Sequence, residues 1–176
     1  MFDKLFELLK VLWNDVVPYY IINEFESACI LRWGKFHRVS DAGIFWKLPF
    51  GDYVYAYHVR TQTTHLTPQT LTTKDKKSVV IKAIVRYNIY DVQAYTLQVY
   101  DAHDALCDTT QGIIASIVKN YDWDKVLEGI EVEITEKVNA AVTEWGIEVE
   151  KVTLSDQGEI RTIRLINTAH EAAAIV

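Results

Sequence analysis

The side chains able to ligate a metal, attack a carbonyl or carry a proton are few and scattered. They are His37, His58, His65, His103 and His170, the cysteines Cys29 and Cys107, and the serines Ser27, Ser40, Ser78, Ser116 and Ser155. A zinc site needs three or four ligands at characteristic spacings, and these histidines and cysteines do not form such a set. His103-Asp104 is an adjacent acid and base, but it falls at a helix start, where Asp serves the backbone more often than a substrate. None of the serines stands in the strand-turn-helix context of a nucleophile elbow, and there is no glycine-rich phosphate loop. Cys29 and Cys107 lie among apolar neighbours and read as buried free thiols. A bond between them would need a short Cα separation that sequence does not supply. No catalytic, cofactor or metal site is expected, and the chain reads as a non-enzyme.

The chemistry that the sequence offers instead is that of apolar and aromatic surface. Phe2, Leu5, Phe6, Leu9, Leu12, Trp13 and Val16 recur at helical spacing and share one face, with Asp3, Glu7, Lys10 and Asn14 opposite. Val17 precedes Pro18, which ends or kinks the helix, and Tyr19-Tyr20-Ile21-Ile22 follows. There is no run of about 18 apolar residues, so an ordinary spanning helix is not encoded. Met1-Phe2-Asp3-Lys4 also lacks the basic start of a signal peptide. The stripe has two readings. It lies in the plane of a bilayer with Trp13, Tyr19 and Tyr20 at headgroup depth, or it packs on this protein's own core or a partner, the commoner fate of such helices. Lys4 and Lys10 are matched by Asp3, Glu7 and Asp15, so attachment to lipid would rest on burial more than on charge. A second concentration, Ile44-Phe45-Trp46-Lys47-Leu48-Pro49-Phe50 between Gly43 and Gly51, exceeds what a solvated loop needs. It reads either as core packing or as a second membrane-dipping point containing Phe45 and Trp46.

The elements that must position these residues belong to one folded domain. The chain has 176 residues, 49% hydrophobic and 24% charged, which is ordinary for a globular protein. Its formal net charge of -6 argues against sequence-independent binding of nucleic acid. Strands are expected over 28–33, 52–64 and 79–90, with at most an edge strand over 66–72 because of Pro68. Within 79–90, Val79, Ile81, Ala83, Val85, Tyr87 and Ile89 face one way. Helices follow over 101–120, 122–127 and 131–145, with Gly146 as a stop. Residues 147–154 alternate as a final strand, and 159–176 form a last helix. Strands, then helices, then one returning strand give an α+β fold, an antiparallel β-sheet with packed helices.

Four motifs then stand in order. Arg32-Trp33-Gly34-Lys35 is a basic turn around glycine. Gly43-Ile44-Phe45-Trp46-Lys47-Leu48-Pro49-Phe50 is an aromatic loop ending in proline. Thr72-Thr73-Lys74-Asp75 leads into the long strand with Val85-Arg86-Tyr87-Asn88-Ile89, and Glu144-Trp145-Gly146-Ile147-Glu148-Val149 is a helix-to-strand junction. Together, along residues 20–165, they resemble the SPFH or band 7 family of stomatins, prohibitins and flotillins, and the stomatin type most closely. The resemblance implies a membrane-attached scaffold without a catalytic site or cofactor, forming homo-oligomers or hetero-oligomers with related subunits. Such proteins organise lipid or protein microdomains, and as an alternative dock on a membrane protease or channel. It implies a peripheral or monotopic place on the cytoplasmic face of a membrane, with lipid as partner. It also favours the bilayer reading of the first stripe, so that 1–22 is an amphipathic anchoring segment whose lipid contacts are Phe2, Leu5, Phe6, Leu9, Leu12, Trp13, Val16, Val17, Tyr19 and Tyr20, joined by Phe45 and Trp46. Residues 23–156 are then the domain itself. Residues 157–176 begin a C-terminal helix of coiled-coil type, with Ile160, Ile163, Ile166, Ala169 and Ala173 as oligomer contacts.

Overall fold

The computed structural model describes residues 18–160. Among them run the strands β1 (Tyr19–Ile22), β2 (Glu26–Arg32), β3 (Lys35–Ser40), β4 (Gly43–Trp46), β5 (Asp52–His58), β6 (Gln62–His65), β7 (Gln69–Thr72) and β8 (Ser78–Ile89). The helices α1 (Val92–Leu97), α2 (Ala102–Asn120), α3 (Trp123–Glu128) and α4 (Glu131–Val142) follow, then a 3-10 turn (Thr143–Trp145) and strand β9 (Ile147–Glu159). Every strand pair is antiparallel, in keeping with the α+β expectation.

The core is built on β8. Val79, Ile81, Ala83, Val85, Tyr87 and Ile89 point to one side and are buried together with Leu106, Ile114 and Ile117 of α2 and Ile134, Val138 and Val142 of α4. Period-two alternation gives the strand a single apolar face, and the two helices cover it with residues three or four apart. β6 and β7 lie in succession along one edge of β8, with Pro68 in the gap between them, and β9 runs along the other edge. Pro68 thus sits where no ladder bond is lost.

β9 does not alternate simply. Glu150 and Ser155 have no partner on β8, because the register steps from Val149 to Lys151 and from Leu154 to Asp156. The bulge at Glu150 returns Val152 to the buried side after the polar pair Glu150-Lys151. Helix α4 then closes the outer edge of β9 with three side chains spaced four apart. Glu131 Oε1 accepts from the Leu154 N–H at 2.8 Å, Thr135 Oγ1 from Val152 at 3.0 Å and Asn139 Oδ1 from Val149 at 2.9 Å. An edge that would template pairing with another chain is satisfied from within.

The helix starts follow local chemistry. Asp91 accepts from the N–H groups of Gln93 and Ala94 at 2.9 and 3.1 Å, and Asp101 from that of Asp104 at 3.1 Å. Asp122 holds the same position before α3 without a side-chain cap bond. At the other end of α4, Gly146 has φ +77°, and its carbonyl accepts from Tyr90 and Asp91 at 3.0 and 3.2 Å. A Cβ here would lie 2.1 Å from the Asp91 carbonyl oxygen. Only glycine allows the β8–α1 corner to approach so closely.

A second sheet, ordered β3-β2-β5, and the two-stranded ribbon β1-β4 complete the domain. α1 lies against β2 and seals Cys29, and Tyr95 of α1 meets Tyr57 of β5 edge-on at 4.9 Å. The end of this sheet is latched. Arg32 Nε and Nη2 donate to Asp52 Oδ1 and Oδ2 at 2.7 and 2.9 Å, and the Leu48 N–H donates to Asp52 Oδ2 at 2.9 Å. The Asp52 side chain is 1% exposed, so one buried carboxylate binds β2, β5 and the loop 47–51 together.

Several elements depart from the expectations. Residues 43–46, read as loop, are a strand, and residues 19–22, grouped with the anchoring segment, are its partner. Tyr19–Ile22 thus take part in the strand pairing of the described residues. The expected strand over 52–64 is two strands, and β3 and α1 arise where none was expected. The last strand runs on to Glu159, where a helix was to have begun from 157. Its pairing continues through Gly158 with Val80 and Glu159 with Val79, because β8 still offers ladder partners there. The helix expected over 131–145 ends at Val142, leaving Trp145 in the 3-10 turn and Ala141 exposed.

Gly146→Ala should cost about 3 kcal/mol of unfolding free energy, because strain at positive φ adds to a clash with fixed backbone. The midpoint of urea unfolding, followed by far-UV circular dichroism, measures it. Asp52→Ala should cost about 2 kcal/mol by removing bonds to a charged partner and leaving the Leu48 amide unpaired. The Asp52 carboxyl is held down to about 2, chiefly by the Arg32 hydrogen bonds, with help from the Leu48 amide and against the upward push of burial. The unfolded value is about 3.9, higher than the folded one. The latch therefore contributes fully above that value, and its contribution is lost as pH falls toward about 2. Urea melts from about pH 5 downward should show this acid loss in the parent and a flatter dependence in Asp52→Asn.

Candidate membrane interface

The ribbon β1-β4 sets Tyr19 opposite Trp46, Tyr20 opposite Phe45, Ile21 opposite Ile44 and Ile22 opposite Gly43. Directly opposed residues share a face, so the ribbon has two distinct sides. On the inner side Tyr20 stacks on Phe45 with ring centroids 5.6 Å apart, and Ile22 is buried. The Tyr20 hydroxyl donates to Ser40 Oγ at 3.4 Å and accepts from Arg38 Nη2 at 3.3 Å, while the Arg38 guanidinium lies 5.4 Å from the centre of the Phe45 ring. The outer side carries Tyr19, Ile21, Ile44 and Trp46, which are 53, 63, 73 and 77% exposed. A ribbon with one solvated face ordinarily presents polar residues there. This one presents four large apolar side chains.

The apolar surface continues onto the adjoining turns. Trp33 and Phe50 are 71 and 69% exposed, and both have positive φ, +52° and +63°. Aromatic residues seldom take the left-handed region, at a cost on the order of 1 kcal/mol each. The surrounding bonds hold them there. The Trp33 N–H donates to the Gly51 carbonyl at 2.8 Å, and a Cβ on Gly51 would lie 2.9 Å from Leu48 Cδ2 and 3.2 Å from the Trp33 ring. Gly51 is thus the floor on which Leu48 and Trp33 rest. The Lys47 N–H donates to the Pro18 carbonyl at 2.7 Å, so the chain enters the described structure at this same end.

Of the residues expected at lipid from sequence, Tyr19 and Trp46 point outward on the ribbon, whereas Tyr20 and Phe45 turn to the body by strand alternation. Phe2, Leu5, Phe6, Leu9, Leu12, Trp13, Val16 and Val17 lie outside the described residues, as do Ile163, Ile166, Ala169 and Ala173. Ile160 is 42% exposed, and its N–H donates to the Ser78 carbonyl at 2.8 Å as an extension of the β9 pairing. Ile21, Trp33, Leu48 and Phe50 join the apolar end without having been chosen as contacts. The signal for Trp33 was an aromatic side chain immediately before the glycine of a two-residue turn, a position that strand packing does not cover.

The rest of the described surface offers little chemistry. His103 Nδ1 lies 2.9 Å from the hydroxyl of buried Tyr87 and is taken up by that bond. Cys29 is buried and Cys107 half-buried, and burial pushes both thiols up, away from the reactive thiolate. Among the described residues no group of His, Cys, Asp and Glu is arranged to hold a metal ion, and none of the helices is long and apolar enough to cross a membrane.

A family model described as SPFH domain / Band 7 family matches residues 20–161. An uncharacterized protein of Methanocaldococcus jannaschii is 30% identical over 139 residues, covering 77% of this chain and 70% of that protein. Stomatin-like protein 3 of Mus musculus is 27% identical over 142 residues, covering 77% of this chain and 49% of the relative. Protein HflK of Vibrio cholerae is 30% identical over 109 residues, covering 62% of this chain and 28% of the relative. The chain therefore spans about half the length of the stomatin-like relative and a smaller part of HflK. Match and fold coincide: the matched segment opens in β1 and closes just beyond β9, and the chain belongs to the SPFH/Band 7 family.

Proposed function

We propose that this chain is a non-enzymatic scaffold that lies against a membrane by the ribbon end of its SPFH domain. There it assembles with copies of itself or with related subunits and organises lipid or protein microdomains. SPFH proteins are membrane-associated scaffolds and regulators, and membership in that family supports the general reading. The observation that carries the placement is the inverted ribbon, with Tyr19, Ile21, Ile44 and Trp46 outward and the strained Trp33 and Phe50 beside them. Trp and Tyr suit the headgroup layer, where the ring is apolar and the N–H or O–H stays wet. Partial burial of such side chains is worth roughly 1 kcal/mol each, enough for reversible attachment when several act together. The stripe Phe2, Leu5, Phe6 and Leu9 enters the same layer in this reading, since the chain leads out of the ribbon end at Pro18.

Flotation of the full chain with phosphatidylcholine vesicles tests the placement. The parent should rise with the vesicles. Ile44→Asp with Trp46→Asp should reduce the bound fraction about tenfold or more, and Leu5→Glu with Leu9→Glu should release it further. Unchanged flotation when all four substitutions are combined, with the far-UV spectrum intact, would sink the proposal.

A further inference from the structure

The net charge of -6 conceals a polarised first lobe. Within residues 18–58 the Lys and Arg side chains are Arg32, Lys35, Arg38 and Lys47, and the carboxylates are Glu24, Glu26, Asp41 and Asp52. Strand order separates them. Arg32 and Lys35 are paired across the β2-β3 turn, next to Trp33, and Lys47 follows Trp46 in the loop that carries Phe50. Arg38 lies beneath the ribbon on Phe45. Glu24, Glu26 and Asp41 sit at the opposite end, where with Asp91 they line an open cleft of about 560 Å³. Asp52 is the one carboxylate of residues 18–58 at the aromatic end, and it is buried and held by Arg32. Lys35 is exposed and makes no ion pair among the described residues.

We infer that the aromatic end is selective for anionic phospholipid headgroups, with Lys35 and Lys47 forming a cationic collar behind the apolar side chains that enter the bilayer. This rests on the membrane placement proposed above and names the lipid class that such an end takes. The collar lies within one short turn of Trp33 and Trp46, so cations come to headgroup depth when those rings insert. The carboxylates at the far end stay out in solution, where the field of an anionic surface is screened within about a Debye length. Attraction at one pole and repulsion at the other orient the lobe with its aromatic end toward the membrane, although the whole chain is negative.

The test is partition of the full chain onto vesicles of phosphatidylcholine alone and of phosphatidylcholine with about one third phosphatidylserine, at low and at physiological salt. Each cation near the surface contributes about a fivefold gain in partition onto the anionic vesicles. The parent should therefore favour the phosphatidylserine vesicles by at least tenfold at low salt, and the preference should shrink as salt rises. Lys35→Gln should cut that preference about fivefold and leave binding to phosphatidylcholine unchanged. Lys119→Gln, an equal change of net charge at the far end of α2, should leave both unchanged. Equal binding to the two vesicles overturns the selectivity and leaves the membrane placement standing. Binding to neither overturns the placement as well. Equal losses from Lys35→Gln and Lys119→Gln would assign the effect to net charge and refute the collar.

Discussion

The pairing of β8 with its three neighbours is the constraint on which the domain depends. β8 gives one edge to β6 and β7 and the other to β9, and its alternating face supplies the buried row from Val79 to Ile89. Removing water from that row is the main driving force for folding. The row can be covered only if α2 and α4 both cross the same side of the sheet. α4 then lies close enough to β9 for Glu131, Thr135 and Asn139 to take its outward N–H groups. One strand thus decides where the helices lie, and the helices in turn close the edge that would otherwise be open to foreign chains.

The ribbon end obeys the opposite rule. The core row hides apolar side chains, while β1 and β4 display them, and the same alternation that turns Tyr20 and Phe45 inward turns Tyr19, Ile21, Ile44 and Trp46 outward. Trp33 and Phe50 are held in a backbone region costly for aromatic residues, by a bond from Trp33 to Gly51 and by the Arg32–Asp52 latch beneath the loop. Strained backbone and exposed apolar side chains at one spot are features that cluster at binding surfaces.

Much of the body was legible in the chain itself. β8, α2 and the start of α4 announce themselves by unbroken periodicity, and Asp101 and Gly146 punctuate them by local chemistry. The ribbon was not legible. Four-residue strands give too few alternations to separate a strand from an apolar loop, and the partners in this ribbon lie more than twenty residues apart. The latch escaped for the same reason, since nothing local links Arg32 to Asp52. The continuation of β9 to Glu159 depends on the length of β8, which residues 157–159 do not reveal by themselves.

By itself, then, the sequence determined the order of the long elements, the helix limits at capping and glycine positions, the absence of a spanning apolar run and the family motifs, because each is written in neighbouring residues. Tertiary structure alone decided which aromatic side chains face out, which carboxylate is buried and paired, and that Lys35 and Lys47 stand at one end of the first lobe and Glu24, Glu26 and Asp41 at the other. These are relations between strands that only folding brings side by side. Pairing register sets the side to which each residue turns, and a shift of one residue would reverse them all.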